Sequence, residues 1–295
     1  LGRENKNIVV LEADLGKSTM TVLFEQQFPE RFFEMGIGEA NMTSFAAGLS
    51  LTGKIAFTNS FAVFAAGRSF DQIRQAICIP GLNVKIVGSS AGLSDFGDGA
   101  THQSVEDVAI MCAIPNMTVL VPADGIETRK MVRKMVEYDG PVYLRINRHD
   151  LPDVTSEAEE FVIGKPGLIR EGRDFVVFAS GIMVSRALAA AEELAKENIS
   201  VRVVNVSSLK PVDEESIKKL AEGVKGIVTA EEHSIIGGVA SMISFVLRGS
   251  GIPLIPVGID DRFGQSAHNY NELLEEYDLT SDAVVNAVKK LNGKK

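Results

Sequence analysis

A lone acid, Glu39, stands in a Gly-punctuated turn, Met35-Gly-Ile-Gly-Glu-Ala-Asn, that passes from an aromatic stretch into a helical pattern. Burial raises the pKa of such a carboxyl group, and a helix N-terminus lowers it. By its residue types alone, this is an acid at a helix start in an apolar neighbourhood that complements the helix dipole. Further on, the loop Asp98-Gly-Ala-Thr-His102-Gln offers an acid and an imidazole at its far end. Imidazole titrates near neutrality and suits proton exchange with hydroxyl or carbonyl groups. Phe61 and Phe64 lie at helical i, i+3 spacing, which puts both rings on one face, as walls of an apolar slot or as core. Arg148 carries a guanidinium able to grip an anion bidentately; left alone it is an exposed cation.

The elements that must hold these residues alternate. Strands are expected over 8–12, 32–35, 55–58, 84–88, 118–121 and 142–146, and helices over 41–51, 61–77, 105–113 and 125–138. Asp124 and Glu127 form a capping box for the last helix. Strands that are apolar along their whole length suit a parallel sheet covered on both faces, whose ligands bind outside the carboxyl ends of the strands. An acidic, polar stretch containing Pro152 follows and reads as a linker. Beyond it, strands over 175–179, 201–206, 226–230 and 254–258 alternate with helices over 183–197, 213–221, 238–248 and 282–291. The expectation is α/β, with two doubly wound, mostly parallel-sheet domains at 1–150 and 166–295, joined by a linker at 151–165.

A chain of 295 residues accommodates two cores of about 150 residues each. The net charge of −9 argues against a nucleic-acid surface, while leaving room for a few Arg residues that bind phosphorylated small molecules. Cys78 and Cys112 fall in apolar helical patterns and read as structural thiols of a reducing, cytoplasmic environment. No apolar run approaches the roughly 18 to 20 residues that span a bilayer. The first residues lack an initiator Met and a signal-peptide core and read as the tail of a helix, so native residues are expected upstream.

Taken together, the runs 36–41, 59–72, 97–103 and Asn147-Arg-His-Asp-Leu-Pro152, with Gly258-Ile-Asp-Asp-Arg-Phe-Gly-Gln-Ser-Ala267 near the end, resemble the pyrimidine-binding and C-terminal domains of transketolase. The resemblance covers essentially the whole chain. It implies thiamine diphosphate as cofactor, with Glu39 hydrogen-bonded to the aminopyrimidine ring to favour its activating tautomer. Phe61 and Phe64 match aromatic positions around that ring, and Asp14 and Leu15 match an Ala-Asp-Leu signature whose Leu buttresses the bent cofactor. His102 matches a histidine at the reacting end of the sugar, and Asp98 an acid that reads a substrate hydroxyl. Arg148 and Ser18 match groups on the substrate phosphate, of which a further Arg belongs upstream of the first strand.

Three departures qualify the match. Thr58 stands where some members have an aromatic residue, and Ser90 where many have a histidine. Gly97-Asp98-Gly99 resembles the start of the family's metal motif, but the interval 124–129 lacks the Asn that completes it. No Mg²⁺ ligand is therefore expected in this chain, and the Mg²⁺ and diphosphate ligands are assigned to a partner. His233 and His268 have no companions at metal-ligand spacing and read as structural, and Gly237-Gly238 as a close-packing pair.

The resemblance thus implies one subunit of a split transketolase, a homodimer or heterotetramer with an N-terminal subunit. It would transfer a two-carbon ketol unit between sugar phosphates of carbohydrate metabolism, as in the pentose phosphate pathway. Competing readings are the beta subunit of a 2-oxo-acid dehydrogenase decarboxylase, a deoxyxylulose-phosphate synthase, and a non-catalytic assembly subunit.

Overall fold

A computed structural model describes residues 1–293. The first sheet contains β1 (Ile8–Glu12), β2 (Phe32–Glu34), β3 (Ile55–Phe61), β4 (Val84–Ser89), β5 (Thr118–Leu120) and β6 (Val142–Arg145), all mutually parallel. The second contains β7 (Gly167–Arg170), β8 (Phe175–Ala179), β9 (Val201–Asn205), β11 (Gly226–Ser234) and β12 (Leu254–Ile259) in the order β12-β11-β8-β9-β7, with β7 antiparallel at its edge. Helices flank both sheets, as an α/β chain requires when its strands are apolar on both faces.

One strand crosses between the domains. β10 (Ser208–Lys210) leaves the second domain and pairs antiparallel with β5, so the first sheet runs β10-β5-β6-β4-β3-β1-β2. Val121 donates to the Ser207 carbonyl at 2.8 Å, and the Lys210 ammonium donates to the carbonyls of Cys112 and Ile114. The apolar core is continuous across this junction: Met111, Val119 and Val121 belong to the same buried cluster as Val206, Leu209 and Ile243.

Strand order reverses at β1. From β1 the chain moves outward to β2, then returns to β3 on the other side and proceeds to β4. Right-handed crossovers send the connections after β1 and β3 to opposite faces, which opens a crevice between their carboxyl ends. The 61–77 region is not one helix. β3 continues to Phe61, in register with Ser89 of β4, and a helix then covers Ala62–Gly67. A short turn at Phe70–Gln72 leads into a π-helical stretch, Ile73–Cys78. Phe61 therefore ends a strand instead of sharing a helix face with Phe64, because its ladder partner on β4 extends that far.

Short elements outside the expected set are the helices Val22–Gln27 and Tyr270–Glu276 and the edge strand Gly167–Arg170. The stretch after β6 is pinned to the first domain, since the Asp124 carboxylate accepts from the amides of Glu127, Val154 and Thr155 at 2.7–2.8 Å. No described helix is long and apolar enough to cross a membrane.

Candidate active site

Glu39 opens the helix Glu39–Leu51, whose Met42, Ala46 and Ala47 are buried against the sheet. The turn before it needs the left-handed backbone of Gly36, φ +67°. The helix start carries the carboxyl group inward, and Glu39 is only 3% exposed. Its Oε1 accepts from the Ser60 hydroxyl at 3.4 Å, and the Arg68 guanidinium donates to Oε1 and Oε2 at 3.3 and 3.4 Å. Arg68 is half exposed and lies 4.0 Å from the Phe64 ring centroid. The carboxylate thus forms a buried floor, and a planar, donating cation covers it from the solvent side.

Phe61, Phe64 and His102 stand beside this pair. The two Phe rings are nearly parallel, 6.2 Å apart, and the His102 ring meets them edge-on at 6.3 and 5.2 Å. Thr101 Oγ1 lies 2.9 Å from His102 Nδ1. Arg148 extends this wall, its guanidinium 5.8 Å from the Phe61 centroid and bonded to Asp95 Oδ2 at 2.8 Å. Burial pushes the Asp95 carboxyl up, opposed by the charge of Arg148; Asp98 raises it and His102 lowers it. Contacts therefore link Glu39, Arg68, Phe64, His102, Phe61 and Arg148 in one cluster, and Asp98 is exposed.

Asp14, Leu15 and Ser18 line a hollow of their own, about 430 Å³, after β1. Asp14 has a left-handed backbone, φ 60°, and its amide donates to Glu34 at 2.9 Å. Behind them Glu12 is fully buried and accepts from Thr19 and Thr21 at 2.9 and 2.5 Å; desolvation raises its pKa, partly offset by those hydroxyls. Arg148 lines a different hollow, about 440 Å³, with Asn147, His149 and Asp150. Ser18 and Arg148 are thus not brought to one hollow within this chain. Two of the departures, Thr58 and Ser90, differ in setting: Thr58 is buried in β3 in register with Leu11 and Ile86, whereas Ser90 sits in a left-handed turn, φ 51°, at the end of β4.

Sequence reasoning missed Arg68, Ser60 and Asp95. Arg68 carried one signal, its i, i+4 spacing from Phe64, which places both on one helix face. Asp95 carried none. Away from this cluster, His233 is buried, receives the Ala109 amide on Nε2 at 3.4 Å and places Nδ1 2.7 Å from the Ser234 carbonyl; desolvation lowers its pKa, which suits a structural neutral imidazole. Gly237 and Gly238 pack against Ala109 and Glu231, leaving no room for side chains. Burial pushes the Cys78 thiol up to about 11 and Cys112 to about 12. Among the described residues, no group of three or more His, Cys, Asp or Glu is arranged to hold a metal ion.

Comparison with known proteins gives this geometry its context. Residues 1–154 match the transketolase pyrimidine binding domain, and residues 164–284 the transketolase C-terminal domain. A putative transketolase C-terminal section from Methanocaldococcus jannaschii is 44% identical over 98% of this chain and 91% of that protein. A 6-deoxy-6-sulfo-D-fructose transketolase subunit from a Clostridium species is 42% identical over 99% of the chain and 91% of its own length. Rat transketolase is 35% identical over 99% of this chain, but only 47% of the rat protein is covered. Among solved structures, a split gene transketolase described as an inactive beta4 tetramer superposes with TM-score 0.89 and 48% identity, covering 100% of this chain and 95% of that one. On these matches, which span both domains, the chain belongs to the transketolase family.

Proposed function

We propose that this chain is the C-terminal subunit of a split transketolase that moves a two-carbon ketol unit between sugar phosphates. The observation that carries the reading is Glu39: a buried carboxylate at a helix start, beside two aromatic rings and an imidazole, on a chain whose relatives include named transketolase subunits. The donor set fits the aminopyrimidine end of thiamine diphosphate. Phe64 supplies a flat apolar face, and Glu39 an acceptor now satisfied by a displaceable, half-exposed guanidinium. When bound, the cofactor supplies the carbanion chemistry, and the protein sets geometry and protonation.

Each residue then has a task. Glu39 holds a proton-sharing hydrogen bond to the ring, Phe61 and Phe64 exclude water from it, and Asp14 and Leu15 support the cofactor at the end of β1. Arg68 keeps the Glu39 carboxylate compensated until the ring's own donor takes its place. His102 faces the reacting end of the sugar and exchanges protons there. Asp98 reads a hydroxyl, and Arg148 receives the terminal anion. Relatives named for sulfofructose and apulose-4-phosphate suggest that the anionic end group and sugar vary while the site's layout persists. The diphosphate and Mg²⁺ ligands come from an N-terminal partner subunit, in an assembly at least dimeric in this chain.

The test is release of glyceraldehyde 3-phosphate from xylulose 5-phosphate and ribose 5-phosphate, with thiamine diphosphate and Mg²⁺, with and without the N-terminal partner from the same source. Activity that requires both chains is expected. A verified complex that is inactive on sugar phosphates and active on a 2-oxo acid overturns the reading.

A further inference from the structure

β11 outruns its own sheet. It pairs with β8 only as far as Ala230, its register with β12 shifts between Ala230 and Ser234, and Glu232 and His233 there bond to the first domain. There the Ser234 amide donates to the Val105 carbonyl at 2.7 Å, and Arg145 donates to the Glu232 carbonyl at 2.9 Å. Glu232 is 4% exposed. One carboxylate oxygen accepts from the Leu93 amide at 2.8 Å, and the other from Asn147 Nδ2 at 3.2 Å. Tyr270, also of the second domain, bonds the Glu232 carboxylate and accepts from the same Asn147 amide at 2.7 Å. Its ring stacks on His149 at 4.6 Å with an 8° interplanar angle. Gly92 is glycine for this reason: its φ is +67°, and a Cβ there would fall about 2.5 Å from the Glu232 carboxylate.

These contacts fall on the two loops that meet at Arg148. Asn147 and His149 flank Arg148 on its own loop, and Leu93 immediately precedes Ser94 and Asp95. Ser94 and Asp95 tie the two loops together: the Ser94 hydroxyl receives the Arg148 amide at 3.2 Å, its carbonyl lies 3.2 Å from His149 Nε2, and Asp95 holds the Arg148 guanidinium at 2.8 Å. Burying Glu232 costs free energy, and desolvation raises its pKa. That cost is offset by acceptor bonds that set the spacing of both loops. We propose that Glu232 and Tyr270 are positioning residues: from the second domain they fix Arg148 and Asp95 beside Phe61 and His102, and so tune recognition of the substrate's terminal anion. This rests on the assignment of Arg148 to that anion.

The experiment uses the complex with the N-terminal partner, loaded with cofactor and Mg²⁺. Tyr270→Phe keeps the ring stack and removes only the hydroxyl; Glu232→Gln removes one acceptor; Arg148→Ala is the reference. KM and kcat are measured for a ketose phosphate and for the same ketose without its phosphate, with melting temperatures as a check on folding. The expected result is a KM for the phosphorylated donor raised roughly five- to tenfold by either second-domain change, with kcat within about twofold and the unphosphorylated donor unaffected. Arg148→Ala produces a larger rise of the same kind, and Tyr270→Phe adds little to it. If Arg148→Ala raises KM selectively and neither second-domain change does, or if they lower kcat on both donors alike, the positioning role is overturned while the anion assignment stands. If Arg148→Ala leaves KM unchanged, the anion assignment fails and the positioning role falls with it.

Discussion

The guanidinium of Arg68 lies against both oxygens of the buried Glu39 carboxylate, at 3.3 and 3.4 Å, while resting on the face of Phe64. Such a contact combines charge pairing with cation–π stacking. It presents to Glu39 what the edge of an aminopyrimidine would present, a flat donor backed by an aromatic ring. A carboxylate this deep needs a partner, and among the described residues Arg68 is the cation that pairs with it.

Removing it exposes that dependence. Arg68→Ala is expected to destabilise the isolated chain by about 1 kcal/mol, a modest figure because half the Arg side chain is solvated. In the cofactor-loaded complex the difference in melting temperature should shrink, since the ring then partners Glu39. An equal loss with and without cofactor would show that Arg68 and the ring do not occupy the same place.

The aromatic wall predicts a binding effect. Phe64→Ala removes the ring that carries Arg68 and faces His102 at 5.2 Å. Titration of the complex with thiamine diphosphate should show affinity weakened roughly tenfold, in line with the loss of one stacked ring. Unchanged affinity would place the cofactor ring elsewhere.

A buried ion pair under the site predicts a loss of stability. Asp107, fully buried, accepts from Tyr143 at 2.8 Å and pairs with the buried Arg145 at 3.0 Å. Asp107→Ala strands a guanidinium in the interior and is expected to cost about 3–5 kcal/mol, read from denaturant unfolding. A loss under about 1 kcal/mol would mean that water or Glu232 compensates Arg145 unaided.

The pH dependence of stability has a named contributor. Glu231 accepts from the amides of Val239 and Ala240 at 2.7 and 2.8 Å, yet burial outweighs those bonds and raises its pKa to about 7. Its ordinary value is 4.5, so between these pH values the folded chain binds more protons than the unfolded one. The stability this group contributes is full below about 4.5 and is lost as pH rises through about 7, up to roughly 3 kcal/mol in all. Glu231→Gln should flatten that slope: melting temperatures compared at pH 5 and pH 8 should fall less in the variant. Parallel pH profiles would remove Glu231 as the source.

Much of this was legible in the sequence, for identifiable reasons. Strands such as Phe175–Ala179 are apolar at every position, which only a doubly covered sheet explains, and the turn before Glu39 is marked by its glycines. The second domain's reach into the first was not legible. β10 is three residues long and pairs with a strand almost ninety positions earlier in the chain. The Glu232–Leu93 bond spans 139 residues, and neither partner belongs to a local pattern. Arg68 was hidden for a different reason. An Arg on a partly exposed helix reads as solvated until the fold turns a buried carboxylate toward it. The helical spacing of Phe61 and Phe64 suggested their proximity correctly and its cause incorrectly, because sheet pairing claims Phe61.

The central claim is that Glu39 carries the chemistry of cofactor activation, and Glu39→Gln tests it most directly. The substitution keeps the shape and a hydrogen-bonding group on the Ser60 side while removing the carboxylate. In the complete complex, with cofactor binding verified by titration, kcat for ketol transfer is expected to fall at least about a hundredfold with the complex intact. Ketol transfer at the wild-type rate by a cofactor-loaded Glu39→Gln complex would contradict the account.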